Sequence, residues 1–279
     1  MLLKMKGLLF MKNRIKLLSV LLTASLTLPL ASCSSGATNA DSRETMFQVA
    51  LLQSLTQGYY DGIIEVSELK KYGDTGLGTF EGVNGEMIVL DGKVYQALGD
   101  GTVKEADDKE TVPFSNVTYF DRDGNKTLND INDFDSLKAE LDKVVAENGK
   151  NMFYMIKLDG TFEKMYVRSE LKQEKPYKPL DKALETDQTE FNYENIEGTV
   201  VGLFCPDYMQ GLNTPGWHLH FVSSDKTKGG HVLGLGFKTA ELSYDVTQSF
   251  DMKLSDNETF QNMELSKDVS SEIKKVESN

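Results

Sequence analysis

The feature that most constrains the fold and function of this chain is a cluster of three histidines. They are all the histidines in the sequence, and they lie within fourteen residues of one another. Residues Gly216–Val222 alternate apolar or aromatic groups with histidine, which predicts a β-strand. Side chains two positions apart on a strand share a face, so His218 and His220 are expected to point together. The side chains expected to point the other way, into packing, are Trp217, Leu219 and Phe221.

The third histidine follows a polar, glycine-rich segment, Ser223–Gly230, which predicts a hairpin loop. His231 then opens a second apolar run, Val232–Leu235, and a hairpin would place this run beside the first strand. Three neutral imidazoles with one coordination position left open are typical of catalytic zinc sites. Imidazole also suits nickel, copper and iron, so other divalent metals stay open. The alternative is that the three residues are surface or core histidines without a ligand.

Length and charge narrow the class of protein. The chain has 279 residues, enough for one large domain or two small ones with a real core. Its formal net charge is −13. Because phosphate binding needs a basic surface, we expect no nucleic-acid partner.

The N-terminus has the pattern of an export signal. Residues 4–16 are rich in lysine and arginine, and Leu17–Leu30 is an apolar stretch too short for a comfortable membrane span. Small residues then precede Cys33, as in a bacterial lipobox. We therefore expect a lipoprotein signal peptide at 1–32, a lipidated Cys33, and a flexible tether at 33–45. An ordinary secretory signal with an incidental cysteine is the alternative.

Helical spacing of apolar residues predicts helices over Glu44–Leu55 and Phe134–Asn148. A charged segment without strand pattern, at 181–190, predicts a boundary between an N-terminal half at 46–190 and a C-terminal half at 191–279. The tail from Ser266 onward is expected to be helical or frayed.

Several glycine-containing pairs predict turns between strands. Asn84-Gly85 and Asp91-Gly92 flank a β-rich run, and both are hairpin signals. Asp159-Gly160 predicts a turn between strands at 151–158 and 161–168.

The acidic segment Asp121–Asn125 is similar to the start of a calcium-binding loop. It lacks the glycine expected at the sixth position, where Lys126 stands, and the glutamate expected at the twelfth, where Asn132 stands. We interpret the segment as an acidic turn without a calcium ion.

Taken together, these residues resemble the α-acetolactate decarboxylase family over nearly the whole chain after Met46. A group of DNA-associated bacterial and plant domains has a similar histidine pattern, but the N-terminal motifs and the acidic charge favour the decarboxylases. The motifs that resemble the family are Tyr60-Asp61-Gly62, Lys71-Tyr72-Gly73-Asp74, Gly78-Thr79-Phe80, Gly85-Glu86, Asp91-Gly92, Gln173–Tyr177, Gly198–Gly202, His218–Phe221 and Gly229-Gly230-His231.

The resemblance implies a set of site residues. The implied zinc ligands are His218, His220 and His231. Glu86 matches the family's glutamate near the metal, and Arg168 matches its active-site arginine. Glu277 is the best match for a glutamate in the C-terminal tail, with Glu272 as the fallback.

The resemblance also implies a fold and a reaction. The fold would be α/β with two β-rich halves of mixed and antiparallel sheets, a few helices, the metal site on the C-terminal half, and a homodimer. The reaction would convert (S)-2-acetolactate, a 2-hydroxy-3-keto acid, to (R)-acetoin and CO2, with zinc as a Lewis acid that stabilises an enediolate.

In that reaction, Arg168 would pair with the leaving carboxylate. Glu86, with Glu277, would relay a proton, or Glu86 would instead support a metal ligand. One departure from the family is the apparent lipobox, which predicts a lipid-anchored protein at the outer face of the bacterial membrane, whereas many members look cytoplasmic. Two alternatives stay open: a non-catalytic zinc-binding surface lipoprotein, and a different zinc lyase or hydrolase.

Overall fold

The computed structural model describes residues 43–277, with the side chains at 274 and 277 left outside that description. The predicted signal peptide, Cys33 and residues 33–42 of the predicted tether lie outside the described residues. Within the described part of the chain, no helix combines the length and apolar character needed to span a membrane.

A seven-stranded, mostly antiparallel sheet forms one layer, in the order β14-β1-β8-β3-β4-β5-β6. Among the described strands of this sheet, only the outer pair, β1 with β14, is parallel, so the sheet is mixed. Its strands are β1 (Thr45–Val49), β3 (Thr75–Thr79), β4 (Glu86–Leu90), β5 (Lys93–Ala97), β6 (Val103–Glu105), β8 (Phe114–Thr118) and β14 (Ser249–Lys253).

A five-stranded antiparallel sheet forms the second layer, in the order β10-β11-β12-β13-β9. Since β10 also pairs with β13, the strands β10, β11, β12 and β13 close on one another. Its strands are β9 (Gly124–Ile131), β10 (Phe153–Glu170), β11 (Gln188–Cys205), β12 (Gly216–Ser223) and β13 (Gly229–Thr247). A small third pairing joins β2 (Ile64–Glu65) to β7 (Thr111–Val112).

Short helices pack around these sheets. They are α1 (Leu52–Thr56), α2 (Val66–Leu69), α3 (Phe134–Asn148), α4 (Leu180–Leu184), α5 (Glu258–Gln261) and α6 (Ser270–Glu277). Helix α3 begins and ends where its apolar spacing predicts. It starts at a capping box in which Asp133 accepts from the backbone of Ser136, an arrangement that satisfies amide groups left free at a helix start.

The predicted turn at Asp91-Gly92 is confirmed between β4 and β5. Both residues have positive φ, 51° and 77°, and a two-residue hairpin turn of this kind requires that conformation. Gly85, at φ 81° just before β4, is also held in a turn. An added Cβ there would lie 2.2 Å from the carbonyl oxygen of Ala97, so only glycine fits. This packing fixes the start of β4, where Glu86 lies.

Two predictions of local structure are wrong. The segment predicted as a helix at 44–55 is a strand, β1, followed by the short helix α1. Its apolar residues fit both periods, and pairing with β8 and β14 decides for the strand. The turn predicted at Asp159-Gly160 is also absent, because both residues pair with β11 on one side and β13 on the other inside one continuous strand.

The two sheets pack face to face, and the predicted α/β class with mixed and antiparallel sheets and few helices is confirmed. Apolar residues from both layers form a shared core, including Leu77 and Ile88 of the first sheet and Val201 and Leu203 of the second. The sheets do not follow the division predicted near residue 190, since β9 and β10 lie in the second sheet and β14 in the first.

Candidate metal centre

Strand register brings the three histidines together. In the second sheet, His220 of β12 lies directly opposite His231 of β13, and His218 shares the face of His220 because it is two residues away. As predicted, the alternate residues Trp217, Leu219 and Phe221 belong to the core on the other face. Gly230, at φ 149°, leads the chain into β13 with an added Cβ only 2.5 Å from a backbone oxygen.

The imidazole nitrogens converge on one point. Nε2 of His218 lies 3.0 Å from Nε2 of His220 and 3.1 Å from Nδ1 of His231. The candidate ligand atoms of the three residues all fall within 4.8 Å of one another. Nitrogens bound tetrahedrally to zinc would be separated by about 3.3 Å, given bonds of about 2.0 to 2.1 Å. The three side chains therefore could hold a metal ion.

The protonation of His220 follows from its second contact. Its Nδ1 lies 2.8 Å from the carbonyl oxygen of Met87 on β4. A carbonyl only accepts, so Nδ1 donates, and Nε2 keeps its lone pair toward the other histidines. A carbonyl in this position orients a ligand imidazole and selects its tautomer.

Burial keeps all three imidazoles neutral. It lowers the pKa of His218 to about 3, helped by the positive charge of Arg168. Burial also lowers the pKa of His220 well below its ordinary value, with a further contribution from His218. The pKa of His231 falls well below its ordinary value for the same reasons, burial first and Arg168 second. Neutral imidazole is the form that binds a metal.

Glu86 reaches this cluster from the other sheet. It begins β4, is 5% exposed, and places its Oε2 3.3 Å from Nε2 of His220. Because that nitrogen carries a lone pair, the contact brings two electron-pair donors together. Such an approach is repulsive unless a proton or a cation lies between the donors. The predicted glutamate is therefore part of the same electrostatic unit as the histidines.

Arg168 approaches from a third strand. It lies opposite His231 across the β10–β13 pairing and is 6% exposed. One terminal nitrogen of its guanidinium donates to the carbonyl oxygen of Val276 in α6. Its Nε is buried and has no hydrogen-bond partner among the described residues. The guanidinium is thus held near the histidines, and its Nε–H stays available to donate a hydrogen bond.

A small cavity of about 40 Å³ joins these groups. His218, His231, Glu86 and Arg168 line its polar side. Its apolar lining comes mainly from helices around the sheets: Leu52, Leu55, Val83, Phe114, Leu180, Leu184 and Val276. In a small cavity with so much apolar lining, charge interactions are stronger than in bulk solvent.

The structure places the other predicted residues less directly. Glu277 ends α6, the helix whose Val276 carbonyl holds Arg168, and its own side chain is outside the described residues. Glu272, the fallback, lies in the first turn of that helix. Sequence reasoning missed the Met87 carbonyl and Glu170, a buried carboxylate that lines the same cavity. Strand alternation could have indicated Glu170, because it is two residues from Arg168.

The arrangement combines three kinds of chemistry in one small cavity. A neutral three-nitrogen donor set could hold a cation. A guanidinium can pair with an anionic carboxylate, and a carboxylate next to the donor set can accept or donate a proton. Such a site suits a small anionic substrate with oxygen atoms that a metal could polarise.

Comparison with known proteins identifies relatives over most of the chain. The family model for alpha-acetolactate decarboxylase matches residues 46–267. The chain is 39% identical over 234 residues to an alpha-acetolactate decarboxylase of Methanosarcina mazei, covering 84% of this chain and 80% of that protein. It is 36% identical over 242 residues to the one of Brevibacillus brevis, covering 87% and 84% respectively.

A solved structure gives the same result. The crystal structure of alpha-acetolactate decarboxylase from Bacillus subtilis strain 168 superposes with a TM-score of 0.81 at 33% identity. The match covers 84% of this chain and all of that one.

Proposed function

The chain belongs to the alpha-acetolactate decarboxylase family, and from that membership we propose that it converts (S)-2-acetolactate to (R)-acetoin and CO2 in a zinc-dependent reaction. The family resemblance drawn from the sequence motifs is confirmed. The observation that most supports the metal-dependent chemistry is the approach of Glu86 Oε2 to the lone pair of His220 Nε2, at 3.3 Å.

The donor set suits zinc or a similar divalent ion. His218, His220 and His231 would hold the cation, since three neutral imidazoles leave a coordination position open for substrate. When bound, the cation would supply Lewis-acid polarisation of the substrate's ketone and hydroxyl oxygens. The carbonyl of Met87 keeps His220 in the required tautomer.

Arg168 binds and orients the carboxylate that leaves as CO2. Its guanidinium presents Nε without a partner among the described residues, and it faces the cavity beside His218 and His231. The contact with the Val276 carbonyl fixes the guanidinium in place, so orientation is set before substrate arrives. The pairing must not stabilise the bound acid as much as the transition state, because such uniform binding would not increase turnover.

Glu86 delivers or relays the proton that converts the decarboxylated intermediate to the product. The carbon that loses CO2 must gain a proton on one face, and a buried carboxyl at the cavity wall is positioned to deliver or relay it. Supporting a metal ligand is the second role for Glu86, and its contact with His220 suits that role as well. Glu277, at the end of the C-terminal helix, is proposed to take part with Glu86 in relaying this proton.

The comparisons give no support to the alternative of a non-catalytic zinc-binding surface lipoprotein. That alternative predicts no role for Arg168, yet Arg168 lines the cavity beside the histidines. Export with a lipid on Cys33, and assembly as a homodimer, are part of the proposal for the intact protein. Mass spectrometry of membrane-extracted protein would test the lipid, and sedimentation would test the dimer.

The direct experiment is to incubate purified protein with racemic acetolactate and to measure acetoin and CO2. We expect equimolar acetoin and CO2, loss of both on treatment with a chelator, and recovery with zinc. Chiral chromatography of the product should show the R enantiomer. Acetoin formation that a chelator leaves unchanged would contradict the zinc dependence, and the absence of acetoin with metal bound would contradict the activity.

A further inference from the structure

Glu170 is a buried carboxylate in the cavity that the proposed reaction does not yet use. It ends β10, two residues after Arg168, so the two side chains share a face of the strand. The residue is 7% exposed and lines the same cavity as Arg168, His218 and His231. Its Oε2 is fully buried and has no hydrogen-bond partner among the described residues.

Neighbouring polar groups do not satisfy this oxygen. The buried Nε of Arg168 also has no hydrogen-bond partner among the described residues, so this donor and the buried Oε2 of Glu170 both stay unmatched. The negative charge of Glu170 contributes, after burial, to raising the pKa of Tyr60. The Tyr60 hydroxyl nevertheless donates to the carbonyl oxygen of Lys178. A carboxylate oxygen left unpaired in such surroundings is costly.

The unmatched donor and acceptor define a ligand pattern. A molecule that fits both must present an acceptor to Nε of Arg168 and a donor to Oε2 of Glu170. A 2-hydroxy carboxylate has both within one small unit, with the acid group as acceptor and the adjacent hydroxyl as donor. The apolar wall formed by Leu52, Leu55, Leu180 and Leu184 then faces the remaining carbon atoms.

We propose that Glu170 is a specificity-determining residue, whose carboxylate accepts a hydrogen bond from the 2-hydroxyl of an acid whose carboxylate is paired with Arg168. This inference rests on the proposed function and names the feature by which that site selects its substrate. A buried group built to bond a hydroxyl rejects analogues that lack it, because the group is then left unpaired. An acid without the hydroxyl meets the same negative charge without compensation.

The test compares two stable acids that cannot be decarboxylated by the proposed route because they have no ketone. The probes are 2-hydroxy-2-methylpropanoate and 2-methylpropanoate, which differ only by the hydroxyl. Their dissociation constants are measured by calorimetry on the zinc-loaded full chain, and zinc content is determined for every sample. The ratio of the two constants reports hydroxyl recognition.

Three variants isolate the carboxylate. Glu170→Leu removes it while filling similar space against the leucine wall, Glu170→Gln keeps an acceptor without the charge, and Glu163→Gln changes an exposed glutamate on the same strand as a control. We expect the preference for the hydroxy acid to fall about tenfold or more in Glu170→Leu. The fall should be smaller in Glu170→Gln, and Glu163→Gln should match the unmodified protein.

A merely structural role predicts a different set of results. If Glu170 only supports the fold, Glu170→Leu should lose thermal stability or zinc, and the remaining bound fraction should keep the original preference. An unchanged ratio in Glu170→Leu therefore overturns the inference, and so does an unmodified protein that shows no preference. If Glu170→Leu does not fold, the inference stands or falls on whether Glu170→Gln shows a reduced preference.

The binding readout separates this inference from the proposed function. Hydroxyl selectivity that depends on Glu170, in a protein that forms no acetoin, would leave the inference in place and remove only the decarboxylase activity. Acetoin formation together with hydroxyl selectivity that does not depend on Glu170 would support the decarboxylase activity and overturn the inference about Glu170.

Discussion

Two regions of the molecule bury titratable side chains, and burial pushes both toward the uncharged form. In the histidine centre, burial lowers the pKa of His218 to about 3. In the acidic corner, which we define as Glu44, Asp121, Asp123 and Asp245, burial raises the pKa of Asp245 to about 8. A neutral imidazole keeps the lone pair that binds metals, whereas a protonated carboxyl is a poor ligand.

The two regions also differ in whether their polar side chains already have hydrogen-bond partners. In the acidic corner, both oxygens of Asp121 accept from Arg43, at 2.8 and 2.7 Å. Asp123 accepts from the backbone of Val246 at 2.7 Å. These contacts fix the acidic turn to Arg43 and to β13. In the histidine centre the ring nitrogens instead face one another, so their lone pairs converge on a point where a cation could bind.

The largest effect is expected from His220→Ala, which removes one of the three nitrogen donors. We predict that bound zinc falls to background and that acetoin formation falls by more than about a hundredfold, since changes around a metal ligand alone cost about ten- to a hundredfold. Metal analysis and product assay on the same sample check this. Asp123→Asn is the control from the acidic corner and should keep full metal content.

Arg168→Ala should separate substrate orientation from metal binding. We predict a turnover number lower by roughly a hundredfold, because the carboxylate is no longer aligned, with one zinc still bound. Arg168→Lys should recover part of the loss, as a single charge without the planar fork. Loss of zinc in Arg168→Ala would assign the residue to metal retention instead.

Glu86→Gln tests the contact between the two sheets. The amide keeps the size of the side chain but cannot transfer a proton, so we predict a turnover lower by roughly a hundredfold at unchanged zinc occupancy. Steady-state kinetics with parallel metal analysis check it. Turnover reduced only in proportion to lost zinc would show that Glu86 supports a ligand.

Asp245→Asn should produce the smallest effect, on stability alone. The folded-state pKa is raised above its ordinary value of 3.8, mainly by burial and further by Asp123, Glu44 and Asp121. The folded chain therefore binds the proton more tightly than the unfolded chain, and stability is lost as pH rises from about 4 to about 8.

The neutral amide removes this dependence. We predict that Asp245→Asn raises the melting temperature by a few °C at pH 8.5, with a smaller difference at pH 5. Thermal denaturation at both pH values checks it. An equal or larger stabilisation at pH 5 would contradict a carboxyl that is protonated in the folded state. Acetoin formation should be unchanged, in contrast to every variant of the histidine centre.

Local periodicity explains what could be predicted from the sequence. Alternation along Gly216–Val222 places His218 and His220 on one face, and the polar segment before His231 predicts the hairpin that brings the third ring. The same alternation placed Trp217 in the core. These relations depend on residues close in sequence, so the chain shows them directly.

What was missed or wrong depends on contacts between distant segments. The apolar residues of Thr45–Val49 fit a helix as well as a strand, and both strands that pair with this segment, Phe114–Thr118 and Ser249–Lys253, are distant in sequence. The contact of the Met87 carbonyl with His220 depends on how one sheet sits on the other. The position of Glu170 two residues after Arg168 indicates a site residue only once its side chain is known to be buried, and the sequence does not show that burial.

The central claim is that three imidazoles hold one cation on which the reaction depends. Its most direct test is a titration of metal-free protein with zinc while acetoin formation from acetolactate is followed. We predict that activity starts at background, rises linearly, and saturates at one zinc per chain, with no rise in His220→Ala. Full activity in the metal-free protein, or an equal rise in His220→Ala, would contradict the account.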